Sequence, residues 1–275
     1  SYRDIKDFFD KHNKKRFIYD ICCDTGEHFY VLKTIRNYKK KANIIIEKPV
    51  VRSLDTLKEF KRFVQTYPDI KIFINENYFF SHTLKKVQEK IQHYEITPNR
   101  VYIEFSKNRS VDHDNNRFVD RKLGVFGIEF PHMLAILNYF GYDHLKILKT
   151  KYSYNSSNTK NNSNIYGGMV KLTDANNSMK VCLYSSLKGD FNYKSKVNIN
   201  SFRHERYRVI DISSNTYQIL ILWDPLSNKK RLWNKVIIKK NKEIVEEFYI
   251  YDNTVLNSLN SAEIFFGAKK KLSVT

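Results

Sequence analysis

The sequence predicts an α/β chain in which an incomplete parallel sheet, covered by helices, is followed by an α+β domain with a large, mainly antiparallel open sheet. Two observations carry this. Up to about residue 94, short apolar runs such as NIIIE (43–47) and IKIFINE (70–76) alternate with stretches whose apolar residues recur at helical spacing. Continuous apolar strands between amphipathic helices mark a parallel sheet buried on both faces. From RVYIEF (100–105) onward strand-like segments follow one another, parted by Asn/Ser/Asp/Gly turns such as DANNS and SSN, the grammar of an antiparallel sheet.

Taken in order, FIYDICC (17–23) reads as a strand and EHFYVLKTIRNYKKK (27–41) as a helix, with Phe29, Val31, Leu32 and Ile35 apolar and a basic end that suits the helix dipole. NIIIE is the second strand. SLDTLKEFKRFVQTY (53–67) is a helix with Ser53 as N-cap, IKIFINE the third strand, and SHTLKKVQEKIQHY (81–94) a helix with Ser81 placed to cap it. Beyond residue 100 one helix, FPHMLAILNYF (130–140), stands among the strand segments GGMVKLT, MKVCLYSSL, KVNINSF, RYRVIDI, TYQILILW, RLWNKVIIK and EIVEEFYIYD, a meandering antiparallel sheet. The Ser/Asn-rich stretch 152–166 reads as an exposed loop. No internal repeat is present, and the expected domains are 1–79 and 80–275.

The 275 residues are 41% hydrophobic, enough for a globular core of one or two domains. No apolar run is long enough to cross a bilayer, and the start lacks a signal-peptide pattern, so the expected place is the cytoplasm, with no membrane partner. Cys22, Cys23 and Cys182 cannot form a disulfide framework and read as reduced; without CxxC or HxxxH spacing no metal site is expected. The net charge of +19 invites a nucleic-acid reading, but its lysines are spread along the chain without a recognition motif, so solvated basic faces are expected and a nucleic-acid partner is not.

In order and spacing, ICCDTGEH (21–28), IIIEKP (44–49), INENYFF (74–80) and GVFGIEFPHMLAILNYFG (124–141) resemble the Gfo/Idh/MocA family of NAD(P)-dependent sugar and polyol dehydrogenases over residues 17–265. The resemblance implies a Rossmann-type first domain, partial here, and a second domain for substrate binding and for homo-oligomer formation through its sheet. It implies NAD or NADP as cofactor, with Cys23, Thr25, His28, Glu47, Lys48 and Asn77 as cofactor-binding residues. Lys48 and His132 are the implied catalytic residues. Tyr78, Lys107, Arg109 and Glu129 would contact a small sugar or polyol. The family's usual loop proline is Asp24 here. Its helix carries Asp four residues before the histidine, where this chain has Ile128, with Glu129 one residue later.

The physics of the site agrees with the transfer. In an open α/β sheet, ligands bind beyond the carboxyl ends of the strands, and 23–25, 47–49 and 75–78 are three successive strand ends. Partial burial lowers a lysine pKa, which would let Lys48 exchange a proton with a substrate hydroxyl during hydride transfer. Pro49 holds the preceding backbone extended, and the family commonly has this Lys-Pro bond cis. The charged stretch 103–122, with Lys107, Arg109, Asp112, Asp114 and Arg117, reads either as substrate-hydroxyl or phosphate contacts or as a solvated loop.

The eight glycines never occur two apart, so the GxGxxG turn that brings a pyrophosphate to a helix N-terminus is not in this sequence. Three readings remain open: a fragment of a complete dehydrogenase whose first βαβ unit lies upstream, a pseudoenzyme or sugar-binding and oligomerising module that has lost dinucleotide binding, and a basic scaffold for nucleic acid.

Overall fold

The computed structural model describes residues 5–12, 17–109, 123–154, 165–193, 206–224 and 232–267. The described chain divides into two compact units, one formed by the residues up to Asn77 together with those from Val255, the other by Tyr78–Thr254.

The first unit is built on a parallel sheet in the order β1 (Ile18–Ile21), β2 (Ala42–Glu47), β3 (Ile70–Asn75). The central strand β2 is apolar on both faces because both are covered: Ile44, Ile45 and Ile46 are all buried. Helix α1 (Ile5–His12) precedes β1, α2 (His28–Tyr38) follows it, and α3 (Leu54–Thr66) joins β2 to β3. In α2 the residues His28, Phe29, Leu32 and Ile35 form one buried stripe at helical spacing. Ser53 caps α3 as the sequence indicates, its hydroxyl accepting from the Thr56 N–H at 3.2 Å. Leu32 is fully buried among Phe29, Ile44 and Ile46 in one cluster. Leu32→Ala is expected to lose about 2–5 kcal/mol, measured as a lower urea midpoint; an unchanged midpoint would show that this cluster does not hold the unit.

The second unit carries an eight-stranded sheet ordered β11-β10-β9-β8-β4-β7-β6-β5. Its strands are β4 (Arg100–Lys107), β5 (Lys146–Tyr154), β6 (Ile165–Thr173), β7 (Lys180–Ser186), β8 (Arg206–Ser213), β9 (Tyr217–Leu222), β10 (Trp233–Lys240) and β11 (Glu243–Tyr251). A 3₁₀ turn (Asn77–Phe80) leads to α4 (His82–His93), and α5 (Val125–Ile128) and α6 (Phe130–Tyr139) lie between β4 and β5. Alternation along β4 sets its two faces. Val101, Ile103 and Phe105 join Leu84, Val87, Met133, Ile136 and Leu137 of the helices in the main core. Tyr102, Glu104 and Ser106 face the other way. There Glu104 is fully buried and accepts from the backbone N–H groups of Asn192 (2.8 Å) and Tyr193 (2.9 Å) and from the Tyr102 hydroxyl (2.7 Å). Burial pushes its carboxyl up to about 7 against these donors.

One topological expectation needs correction. The sheet is mixed and not a simple meander, because β4 pairs parallel with β7 while pairing antiparallel with β8. The chain leaves β4 through α5 and α6 on one face and returns as the β5-β6-β7 meander, which brings β7 alongside β4 in the same direction. Four elements also go beyond the sequence reading: α1, α5, β5 and a C-terminal helix α7 (Thr254–Phe265). The short α1 is held by Phe9, which is 1% exposed and stacks on Tyr38 with ring centroids 4.8 Å apart. Strand β5 is exposed along its whole length, so it has no apolar alternation to reveal it. The expected strand at KVNINSF lies outside the described residues. Ser81 caps α4 as expected, its hydroxyl accepting from the Leu84 N–H at 3.1 Å. Asp252 strengthens that cap by accepting from the N–H groups of His82 and Thr83, each at 3.1 Å.

Candidate functional site

The candidate residues of the first unit lie at strand ends. Because β1, β2 and β3 run parallel, their carboxyl ends share one edge of the sheet, and Cys23, Glu47 and Asn75 all belong to it. The loop after β1 is fixed internally. Asp24 accepts from the Gly26 N–H at 2.7 Å and pairs with Arg52. His28 is 1% exposed, and its Nε2 lies 3.0 Å from the Cys23 carbonyl oxygen. That contact makes Nε2 the protonated nitrogen, and Nδ1 is buried without a partner. Thr25 is buried and Cys23 exposed.

At the end of β2, Glu47 is half-buried and accepts a hydrogen bond from the Asn75 amide, while the Asn75 carbonyl oxygen accepts from the Ser258 hydroxyl at 2.7 Å. Helix α7 thus locks the end of β3 to the end of β2. Burial pushes the Glu47 carboxyl up, with Asn75 opposing. Lys48 follows, half-buried, and the Lys48–Pro49 peptide bond is cis. Asn77 keeps a buried side-chain oxygen without a donor. Sequence reasoning missed Asn75 and Ser258 as a pair, since nothing in the spacing of residues 183 apart announces their contact.

The candidate residues of the second unit converge more tightly. Glu129, at the junction of α5 and α6, is 1% exposed. It pairs with Arg109 at 2.7 Å and with Arg208 at 3.6 Å. Arg208 also donates to the Tyr78 hydroxyl at 2.7 Å and lies over the Phe105 ring, 5.0 Å from its centroid. The Tyr78 ring meets His132 edge-on with centroids 5.0 Å apart, and Trp223 at 5.5 Å. Burial alone would raise the Glu129 carboxyl, but Arg208, Arg109 and His132 outweigh it and hold the group at about 2. A carboxylate so fixed stays ionised at neutral pH and serves to orient cations.

Local sequence explains this convergence. Gly124 begins the turn into α5 at φ +53°, where any Cβ would overlap the Ile165 carbonyl oxygen, so only glycine fits the approach. Pro131 at the start of α6 suits the first helical turn. Tyr78, Arg109, Glu129 and His132 are therefore brought into one neighbourhood. Lys107 ends β4 directly opposite Arg206 in the antiparallel register. Arg206 and Arg208 were not singled out by sequence reasoning, although RYR within a strand places both on one face. Asp112, Asp114 and Arg117 lie outside the described residues.

No protein-family model and no curated protein matches the sequence. Solved structures do match. KijD10, a 3-ketoreductase from Actinomadura kijaniata, seen in an open conformation with TDP-benzene and NADP, is 9% identical with a TM-score of 0.69, over 94% of this chain and 73% of that one. The chain has the fold of these reductases. A candidate NADPH-dependent oxidoreductase from Desulfitobacterium hafniense is 12% identical with a TM-score of 0.66, over 98% of this chain and 75% of the other. An oxidoreductase candidate from Yersinia pestis gives 12% identity and a TM-score of 0.64, over 98% and 74%. Among the described residues no helix is long and apolar enough to cross a membrane.

Proposed function

We propose that the protein is an NAD(P)-dependent oxidoreductase of the Gfo/Idh/MocA type that interconverts a hydroxyl and a keto group on a sugar or polyol. The observation that supports this most is the position of Glu47-Lys48-Pro49 at the carboxyl end of the central parallel strand, in a chain whose fold matches NADP-dependent reductases. The residues at hand fit the nicotinamide end of a dinucleotide. Asn77 offers a buried, unpartnered amide oxygen, and the strand-end loops at one edge of the parallel sheet supply Cys23, Thr25, Glu47 and Lys48, with buried His28 holding the first loop in shape. The pyrophosphate end has no glycine turn among residues 1–275. When bound, the nicotinamide accepts or returns the hydride.

In this reading Lys48 takes the hydroxyl proton as the carbonyl forms and gives it back in the reverse direction. The half-buried setting of Lys48 restrains its chain, and Glu47, tied to Asn75, keeps the strand end rigid. Within the second unit, Glu129 holds Arg109 and Arg208, Arg208 holds the Tyr78 hydroxyl, and His132 packs on the Tyr78 ring. In this reading Tyr78, Lys107 and Arg109 contact the substrate, with His132 the second proton-carrying group; the contacts among Tyr78, Arg109, Glu129 and His132 support it. A second copy of the chain is the proposed partner of the open sheet, whose outer strands expose Tyr152, Tyr154, Tyr249 and Tyr251. NADPH and NADH titrated into the protein as its gene encodes it, followed by nicotinamide fluorescence, should give saturable binding of at least one. No saturation with either would remove the dehydrogenase reading and favour a module that has lost dinucleotide binding.

A further inference from the structure

Strand register gathers cations that the sequence leaves far apart. On one face of the eight-stranded sheet, Lys149 of β5 stands opposite Lys171 of β6, and Arg100 of β4 stands beside Lys180 of β7. Lys151 follows Lys149 on that face by alternation. Lys171 and Tyr102 both lie beside Cys182, so this is the face that Tyr102 and Glu104 share, away from the core. Like charges facing one another across strands destabilise a sheet. All five cations are exposed, and none has a carboxylate partner among the described residues. The acids of β4 and β8 on this face are already engaged. Glu104 is fully buried beneath its donors, and Asp211, 2% exposed, accepts from the Tyr193 and Ser213 hydroxyls and the Gln218 amide. Segment 155–164, between β5 and β6, contains no acid. Asp112, Asp114, Asp120 and Glu205, outside the described residues, follow Arg109 or precede Arg206 in sequence, and Lys107 and Arg206 mark the end of β4 remote from Arg100.

An anion laid across the face offsets that repulsion, and the spread of the cations decides what kind. They occupy four neighbouring strands, β5, β6, β7 and β4, a width of about 14 Å at the usual strand spacing. A single phosphate cannot reach across such a width, whereas a nucleic acid repeats its charge every few ångströms, about 3.4 Å along one strand of a duplex. Arg100 also borders an open cleft of about 540 Å³ lined by Asn215, Thr216, Gln218, Asn241 and Lys242. Amide, hydroxyl and cationic side chains of this kind hold phosphate and sugar oxygens and carry little sequence information. They favour a sugar-phosphate chain over a lipid surface, which needs apolar side chains to enter it beside the charge.

We propose that the face carrying Arg100, Lys149, Lys151, Lys171 and Lys180 binds nucleic acid through its backbone, without sequence preference, as a function separate from the nicotinamide chemistry. The test measures fluorescence anisotropy of a labelled random-sequence duplex, and of one of its strands, with the full chain at 50 and 200 mM salt. Saturable binding of at least one probe is expected, with affinity falling about a hundredfold between the two salts, as four phosphate contacts require. A variant combining Arg100→Gln, Lys149→Gln, Lys171→Gln and Lys180→Gln should lose most of that salt dependence, since each lost phosphate contact takes about one from the slope. These side chains are exposed, so its urea midpoint should match wild type. A control combining Lys40→Gln, Lys61→Gln, Lys71→Gln and Lys85→Gln removes the same charge from other exposed positions and should bind like wild type. Absence of saturable binding to both probes would overturn the proposal, and so would equal weakening in the two variants, which would reduce the effect to net charge. Unchanged nucleic-acid affinity with an altered oligomeric state in the first variant would give the face to a second copy. Binding to phosphatidylserine vesicles that the first variant loses, with no binding to either nucleic acid, would give it to a lipid surface; both results contradict the proposal.

Discussion

Lys48→Ala is expected to lower kcat about 10²–10⁴-fold, the usual contribution of a positioned acid or base, while nicotinamide binding stays saturable. The expectation follows from position. Lys48 leaves the central strand one residue after Glu47, whose carboxylate is tied to Asn75 and through it to Ser258. Removing the amine takes away the proton acceptor without touching the strand pairing of β2, which ends at Glu47 with Asn75 as its partner in register. Fold and cofactor binding should therefore survive. A kcat within about threefold of wild type, far below that contribution, would assign the proton transfer to another group, with His132 next in line.

Glu129→Ala is expected to destabilise the protein by about 3–5 kcal/mol, because it leaves partly buried arginine charge without its counter-ion. Glu129 is almost fully buried, and Arg109 and Arg208 are 25% and 15% exposed, so solvent screens the lost pairs only in part. The pH dependence carries the same signature. With the folded carboxyl at about 2 and an ordinary value of 4.5, its stabilisation is fully present above about pH 4.5 and disappears as pH falls through about 2. Urea midpoints measured across that window should fall for wild type and stay flatter for Glu129→Gln. Parallel curves would mean that other carboxylates govern the acid limb.

The parallel unit and the helix α4 that follows it in sequence were legible because their signals are local. Three apolar runs, helical spacing and the capping serines at 53 and 81 each report on a few neighbouring residues, and β1–β3, α2–α4 and both caps follow them. What escaped depends on distant partners. Helix α1 is stabilised by Phe9 on Tyr38, β5 by pairing with β6 while wholly exposed, and α7 by contacts such as Ser258 with Asn75. The place of β4 between β7 and β8 was equally hidden, since strand order depends on how the chain crosses the sheet. Of the residues singled out for chemistry, Tyr78, Arg109, Glu129 and His132 share a neighbourhood. The arginines of RYR, which complete it, carry no motif, and their meaning comes only from the β4–β8 register.

The proposed reaction exchanges a hydride between a nicotinamide and a sugar carbon. The most direct measurement supplies NADPH or NADH deuterated at C4 of the nicotinamide, together with a panel of keto sugars and their phosphates, to the protein as its gene encodes it, and follows the products by mass spectrometry. One deuterium is expected on the carbon of a new secondary alcohol, in an amount equal to the nicotinamide oxidised, and it should be lost in Lys48→Ala. Saturable nicotinamide binding with no deuterium in any product would contradict it.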